Sequence, residues 1–346
     1  MAEHLIQTQG PLLDDTGRLR EPGYAFRPPF YYNRNQIATT PLRIKEWDYY
    51  LANDDHYALA LTISDLGFAG LVSAAVVDLA ERTSKTTSEI VPLTLGRMNL
   101  PRSSDLGDIS WSNERCRVRY SHVRGCRRLS FYMARFDGAG DLEAELLLDQ
   151  EPRDSMVIAT PWADDPTAFY YNRKIVGMRA RGGFRVGALF HEFEPSDSLA
   201  LLDWGRGVWT YDNTWYWAFA QGHQAGHVVA LNLGYGFGDT SAASENMVFV
   251  DGVASKLGRV GFGIPKADDG TCRYLDPWHI VDDGDRLSLT FEPELDRADA
   301  FDIAGVITSD QHQVFGRLSG WAVLDDGSRL EVEGLRGAAE HVHNRY

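Results

Sequence analysis

The chain has 346 residues, with 49 acidic side chains against 34 basic ones and a net charge of -15 when histidines are neutral. That balance excludes a nucleic-acid binder, because duplex binding is driven by Lys and Arg neutralising phosphates. No apolar run nears the roughly 20 residues of a membrane helix, and Met1 to Gly10 lacks the basic start and apolar middle of a secretory leader, so a cytoplasmic protein without a transmembrane segment is expected.

Residues 1–28, with Pro11, Pro22, Pro28 and several glycines, read as an extended arm. Beyond it the chain repeats itself: Phe30-Tyr-Tyr-Asn-Arg34 returns as Phe169-Tyr-Tyr-Asn-Arg173. Each copy is followed by an aromatic strand, Trp47 to Ala60 in one case and Trp209 to Phe219 in the other. A further apolar strand comes next, Gly70 to Ala75 and Gly226 to Leu231. Two related halves are expected, 29–162 and 163–346, with the division at the Pro-containing stretch 156–166. Asp-Gly pairs at 137, 251, 269, 283 and 326 separate short apolar or alternating runs, which is the pattern of tight hairpins. The fold class is therefore all-β, a sandwich or an up-and-down barrel. Ala74 to Lys85 has helix-favouring composition, but the repeat sets it against the β-like Val228 to Leu233, so it reads mostly as strand.

Arg115 to Arg135 holds seven arginines and no acid. Arg115, Arg117 and Arg119 alternate, so a strand would place them on one face. A solvated outer face and a cradle for an anionic head group both fit them, as they fit Arg179, Arg181 and Arg185. Cys116, Cys126 and Cys272 lack the number for a disulfide framework and the paired spacing of a zinc site. His223 with His227, and His341 with His343, supply no third ligand, so no metal is expected. There is no phosphate loop and no nucleophile elbow, and Gly234-x-Gly-x-Gly238 lacks the dinucleotide spacing, so no cofactor is expected.

The segment 203–219 carries Trp204, Trp209, Tyr211, Trp215, Trp217 and Phe219 around Asp203, Arg206 and Asp212. Bulky rings interleaved with a few polar groups suit a concave small-molecule site. By strand parity Trp215, Trp217 and Phe219 share one face. A carboxyl desolvated by such a wall has a raised pKa and can protonate an alkene or carbonyl near neutrality. Asp212, which interrupts the rings, is the leading candidate for that acid, although Asp212-Asn213 also reads as a turn. Asp203 is a second candidate, with an ion pair to Arg206 as the alternative. Glu245 is a third candidate, as a base, with Asn246 beside it to orient a substrate oxygen; a loop capped by hydrogen bonds is the alternative.

Taken together, Tyr170-Tyr-Asn-Arg173, Asp203-Trp-Gly-Arg-Gly-Val-Trp209, Gly234-Tyr-Gly-Phe-Gly-Asp239, Ser244-Glu-Asn246, Pro277-Trp278 and Glu340-His-Val-His-Asn-Arg-Tyr346 resemble the domain-of-unknown-function family 2804 over nearly the whole chain. That family is similar to tandem lipocalin-like proteins, among them carotenoid hydratases of the hydroxyneurosporene synthase type, tocopherol cyclases and fungal Diels-Alderases. The resemblance implies two lipocalin-like (calycin-type) antiparallel β-barrels packed together and an apolar small molecule as ligand; it transfers no reaction.

The reading that follows is an enzyme acting by acid-base hydration, dehydration, isomerisation or cyclisation on an isoprenoid or lipid-like molecule. Catalysis is expected from Asp212, Glu245 and Asp203. Binding is expected from Trp204, Arg206, Trp209, Tyr211, Trp215, Trp217, Phe219, Asn246 and Tyr171. A non-catalytic carrier of a hydrophobic ligand and a carbohydrate site remain as alternatives. The oligomeric state is open, a homodimer included.

Overall fold

Alternating apolar residues and Asp-Gly turns fold as period-2 patterning demands. In the computed structural model, which describes residues 3–138, 140–150 and 153–346, strands of up to 18 residues alternate with tight turns. At Asp251-Gly252 both residues take left-handed φ, 49° and 76°, as the hairpin turn matching strand twist requires. Among the described residues there is no α-helix, only two short 3-10 turns. The stretch 74–85 is the end of strand Ala69–Asp78, a turn and the start of strand Thr83–Pro92.

The strands form two large curled sheets of the same design. In the first, the order is Thr83–Pro92, Ala69–Asp78, Tyr57–Asp65, Ile44–Asn53, Leu199–Val208, Phe169–Val186, Gly140–Asp149, Cys126–Phe136, Cys116–Val123 and Ile109–Ser112. In the second it is Val253–Lys256, Met247–Val250, His227–Tyr235, Asp212–Gln224, Arg329–Arg345, Ile307–Val323, Leu287–Ile303, Trp278–Asp282 and Val260–Gly263. In both, the first long strand pairs with the last, Ile44–Asn53 with Leu199–Val208 and Asp212–Gln224 with Arg329–Arg345. The meander thus curls into an up-and-down barrel that stays open between its fourth and fifth strands.

The chain changes sheet between Val208 and Asp212, not at 156–166. Strands Phe169–Val186 and Leu199–Val208, which the repeat set in the second half, hydrogen-bond within the first sheet. The short aromatic motif misled because its first copy, at Phe30–Tyr31, forms only a two-residue strand against Gly10–Pro11. The arm runs along the first barrel and buries Ile6, Leu12, Leu13 and Leu19, and Glu3 ion-pairs Lys256 of the second at 2.5 Å. Its first two residues lie outside the described residues.

Inward-facing side chains fill each barrel, Leu59, Leu61, Leu129 and Phe131 in the first and Leu231, Trp278, Phe291 and Leu318 in the second. A third apolar cluster seals the barrels to each other, with Leu51, Ala75, Val77 and Leu201 on one side and Trp217, Phe219, Phe249 and Phe315 on the other. The parity expected for the aromatic strand holds, but its ring face packs against the neighbouring barrel; Ala218 and Ala220 face the lumen.

Candidate site at the seam between the barrels

Polar groups interrupt the apolar seam in two facing rows. On the first barrel, Lys174, Asp203 and Tyr49 sit side by side on adjacent strands. On the second, Trp217, Glu340, Gln313 and Arg297 do the same. The rows touch where Gln313 Nε2 donates to Tyr49 Oη at 3.3 Å, and Gln313 Nε2 also donates to Glu340 at 2.5 Å.

Asp203 leaves its strand on the seam side because Ala200, Leu202, Trp204 and Val208, its alternating neighbours, point into the first barrel. Its carboxylate accepts from Asn172 Nδ2 at 2.7 Å, Trp47 Nε1 at 3.2 Å and Lys174 Nζ at 3.3 Å. Glu245, on the loop before Met247–Val250, reaches the same Lys174 at 3.7 Å but is far drier, its side chain 2% exposed against 13% for Asp203. Its Oε2 accepts from Tyr170 Oη at 3.5 Å, and its buried Oε1 has no partner. Burial pushes the Glu245 carboxyl up to about 7; Lys174 opposes the shift and Asp203 adds to it. Burial also raises Glu340. Lys174 and Arg297 thus face several carboxyls, and burial lets Glu245 keep its proton near neutrality.

Rings wall this cluster. Lys174 Nζ lies 4.6 Å from the centre of the Trp217 ring and 5.3 Å from that of Phe237. Tyr170 stacks on Phe237 at 4.8 Å, and Trp209 meets Trp215 edge-on at 5.3 Å. Trp47, Tyr49 and Trp215 are each partly exposed, so the wall has a solvent side.

The other expected residues are dispersed. Asp212 is at the surface, 51% exposed and paired with His343 at 2.8 Å and Arg345 at 3.0 Å; it lacks the desolvation that the acid role needs, because it opens its strand beyond the seam. Tyr211 is likewise exposed. Trp204 and Tyr171 pack on each other inside the first barrel at 5.6 Å. Arg206 is there too and pairs with Asp48 at 2.9 Å, not with Asp203. Asn246 is structural: its Oδ1 accepts from Gly234 N at 2.7 Å and its Nδ2 donates to the Gly258 carbonyl at 2.9 Å. Trp209, Trp215, Trp217 and Phe219 do come together at the seam. Lys174, Tyr170, Phe237, Tyr49 and Glu340 were not expected. Lys174 carried a signal: it continues the Tyr170, Asn172 face of its strand and is followed by Ile175 and Val176, and a lysine in such a run must have partners if buried.

The family described as Domain of unknown function (DUF2804) matches residues 3–346. The chain belongs to that family. No curated protein matches it. Among solved structures it is similar to kievitone hydratase from Nectria haematococca, with a TM-score of 0.53, 10% identity and coverage of 91% of this chain and 95% of that one. It is similar also to CghA with Sch210972, with a TM-score of 0.55, 15% identity and coverage of 98% and 97%. These likenesses establish the tandem lipocalin-like fold for this DUF2804 chain, in agreement with the kin named from its sequence.

Proposed function

We propose that this protein is an enzyme that converts an apolar, isoprenoid- or lipid-like small molecule by proton transfer, in a hydration, dehydration, isomerisation or cyclisation. The observation that carries the reading is Glu245, a buried carboxyl raised to about 7, with Lys174 3.7 Å away and itself 3.3 Å from Asp203. A group with a pKa near the working pH both gives and takes a proton efficiently. Lys174 Nζ donates to Tyr170 Oη at 3.3 Å and Tyr170 Oη to Glu245, so the chain of hydrogen bonds offers a route for returning the proton. The tryptophan wall stacks on an unsaturated substrate and stabilises developing positive charge. Proton transfer of this kind is redox-neutral and calls for no electron carrier.

Two similar folds, kievitone hydratase and CghA, a Diels-Alderase, belong to proteins that convert small molecules, which supports the enzyme reading. The packed interiors of both barrels support it over a lumen carrier.

The test starts from the small molecules that copurify with the protein, identified by mass spectrometry. Wild-type protein in D2O is expected to convert or deuterate an apolar member of that extract, and Glu245→Gln to lose roughly 100-fold or more of the rate while still binding it. Unchanged turnover in Glu245→Gln would remove the role.

A further inference from the structure

The arginine-rich segment is not used at the seam, and one of its members is anomalous. Arg115 pairs with Glu89 at 2.9 Å, Arg117 lies over the Tyr132 ring at 4.1 Å, and Arg128 reaches Glu145 at 3.5 Å on the outside. Arg127 alternates with Arg128 and so points inward with Leu129, Phe131 and Met133; it is 2% exposed. Its Nη1 donates to Tyr50 Oη at 3.1 Å and its Nη2 to the Ser104 carbonyl, while Nε is buried without a partner. Among the described residues no carboxylate comes within ion-pair distance of it. The two nearby acids are taken: Asp105 by Arg173 at 2.6 Å and Asp48 by Arg206 at 2.9 Å. Three buried guanidiniums therefore face two carboxylates, and burial together with the Arg127 charge holds the neighbouring His122 below its ordinary pKa. A lone buried cation is strongly destabilising, so an excess positive charge in a barrel interior calls for a counter-ion.

The space beside Arg127 supplies one. A cavity of about 10 Å3, lined by Asp48, Tyr50, Ser104, Tyr120, His122 and Arg127 among others, has room for one water-sized species. Tyr120 is 3% exposed and its hydroxyl has no partner. Tyr50 accepts from Arg127, which leaves its own O–H to donate. We propose that a single monovalent anion of halide size binds here, held by Arg127 and the Tyr50 and Tyr120 hydroxyls. It completes the charge balance at the mouth of the first barrel, where Arg206 and Arg127 hold the carbonyls of Pro101 and Ser104 in the covering loop.

The experiment is thermal unfolding of the full chain at fixed ionic strength, with bromide or chloride exchanged for gluconate, which is too large for the cavity. Midpoints are expected to rise with each small anion. Arg127→Met should abolish the dependence, and Tyr120→Phe, which barely alters volume, should weaken apparent affinity about tenfold. Crystals grown in bromide should show anomalous density beside the Arg127 guanidinium. Equal midpoints in bromide and gluconate for the wild-type chain, an unchanged ion dependence in Tyr120→Phe, or a site refining as water in bromide would each overturn the proposal.

Discussion

At the residue scale, Asp203 and Glu245 share one lysine but differ in donors. Asp203 receives three, Trp47, Asn172 and Lys174, whereas Glu245 receives only Tyr170, at 3.5 Å, and leaves one oxygen bare. Lys174 lowers the Glu245 pKa, so Lys174→Met should move it above 7, as read by carbon-13 NMR of labelled glutamate. Stability follows from the same shift. Between the ordinary carboxyl range near 4.5 and about 7, the folded chain binds a proton at Glu245 that the unfolded chain does not. Stability therefore falls as pH rises through that window, by on the order of 3 kcal/mol in total. Glu245→Gln should lack this component when chemical denaturation is compared at pH 5 and pH 8; identical pH profiles would contradict it. The sequence offered Asp203, which sits among apolar residues, and Glu245, which opens a strand after a loop rich in Gly, Thr and Ser, as candidates. Asp212 misled because sequence proximity to rings is not burial: it lies at the exposed start of a strand whose seam face begins further along. Lys174 meets Asp203 only through strand pairing and Glu340 faces it only across the seam, and no local pattern displays either.

At the scale of an element, the Asp-Trp-Gly-Arg-Gly run is a strand doing different things on its two faces. Trp204 and Arg206 point into the first barrel, and Asp203 points to the seam. Gly205 is bare because the Trp47 ring lies across it; a Cβ there would come 2.0 Å from that ring. Gly207 leaves room in the same way for the Phe169 carbonyl, 2.3 Å from a would-be Cβ. Trp47 is thus held where its indole N–H reaches Asp203. Gly205→Ala should cost about 2 kcal/mol and break that hydrogen bond, measured by denaturation and by the indole proton shift. Gly234 plays the matching part on the other barrel, with Glu245 Oε1 2.1 Å from its would-be Cβ. Gly234→Ala should leave the folded content unchanged in circular dichroism while shifting the Glu245 titration. The rings and glycines of these runs were visible in the sequence. Their partners were not, because a glycine records that something approaches and not what.

At the scale of the molecule, two barrels of one design meet through an apolar seam, and the polar rows exist only where both contribute. The all-β class and the tandem design followed from the hairpin turns, the repeat and the family resemblance. The point at which the chain changes barrel did not, because the first strand of each barrel closes on its last, a pairing more than a hundred residues apart in sequence. Phe219 is 1% exposed in that seam, so Phe219→Ala should lose about 3–5 kcal/mol by chemical denaturation. The proposed proton transfer needs a protonated carboxyl in the seam near neutrality. Carbon-13 NMR titration of the labelled chain should show one glutamate carboxyl titrating near pH 7 that disappears in Glu245→Gln. If every glutamate instead titrates near its ordinary value of about 4.5, Glu245 is no acid at working pH and the account fails.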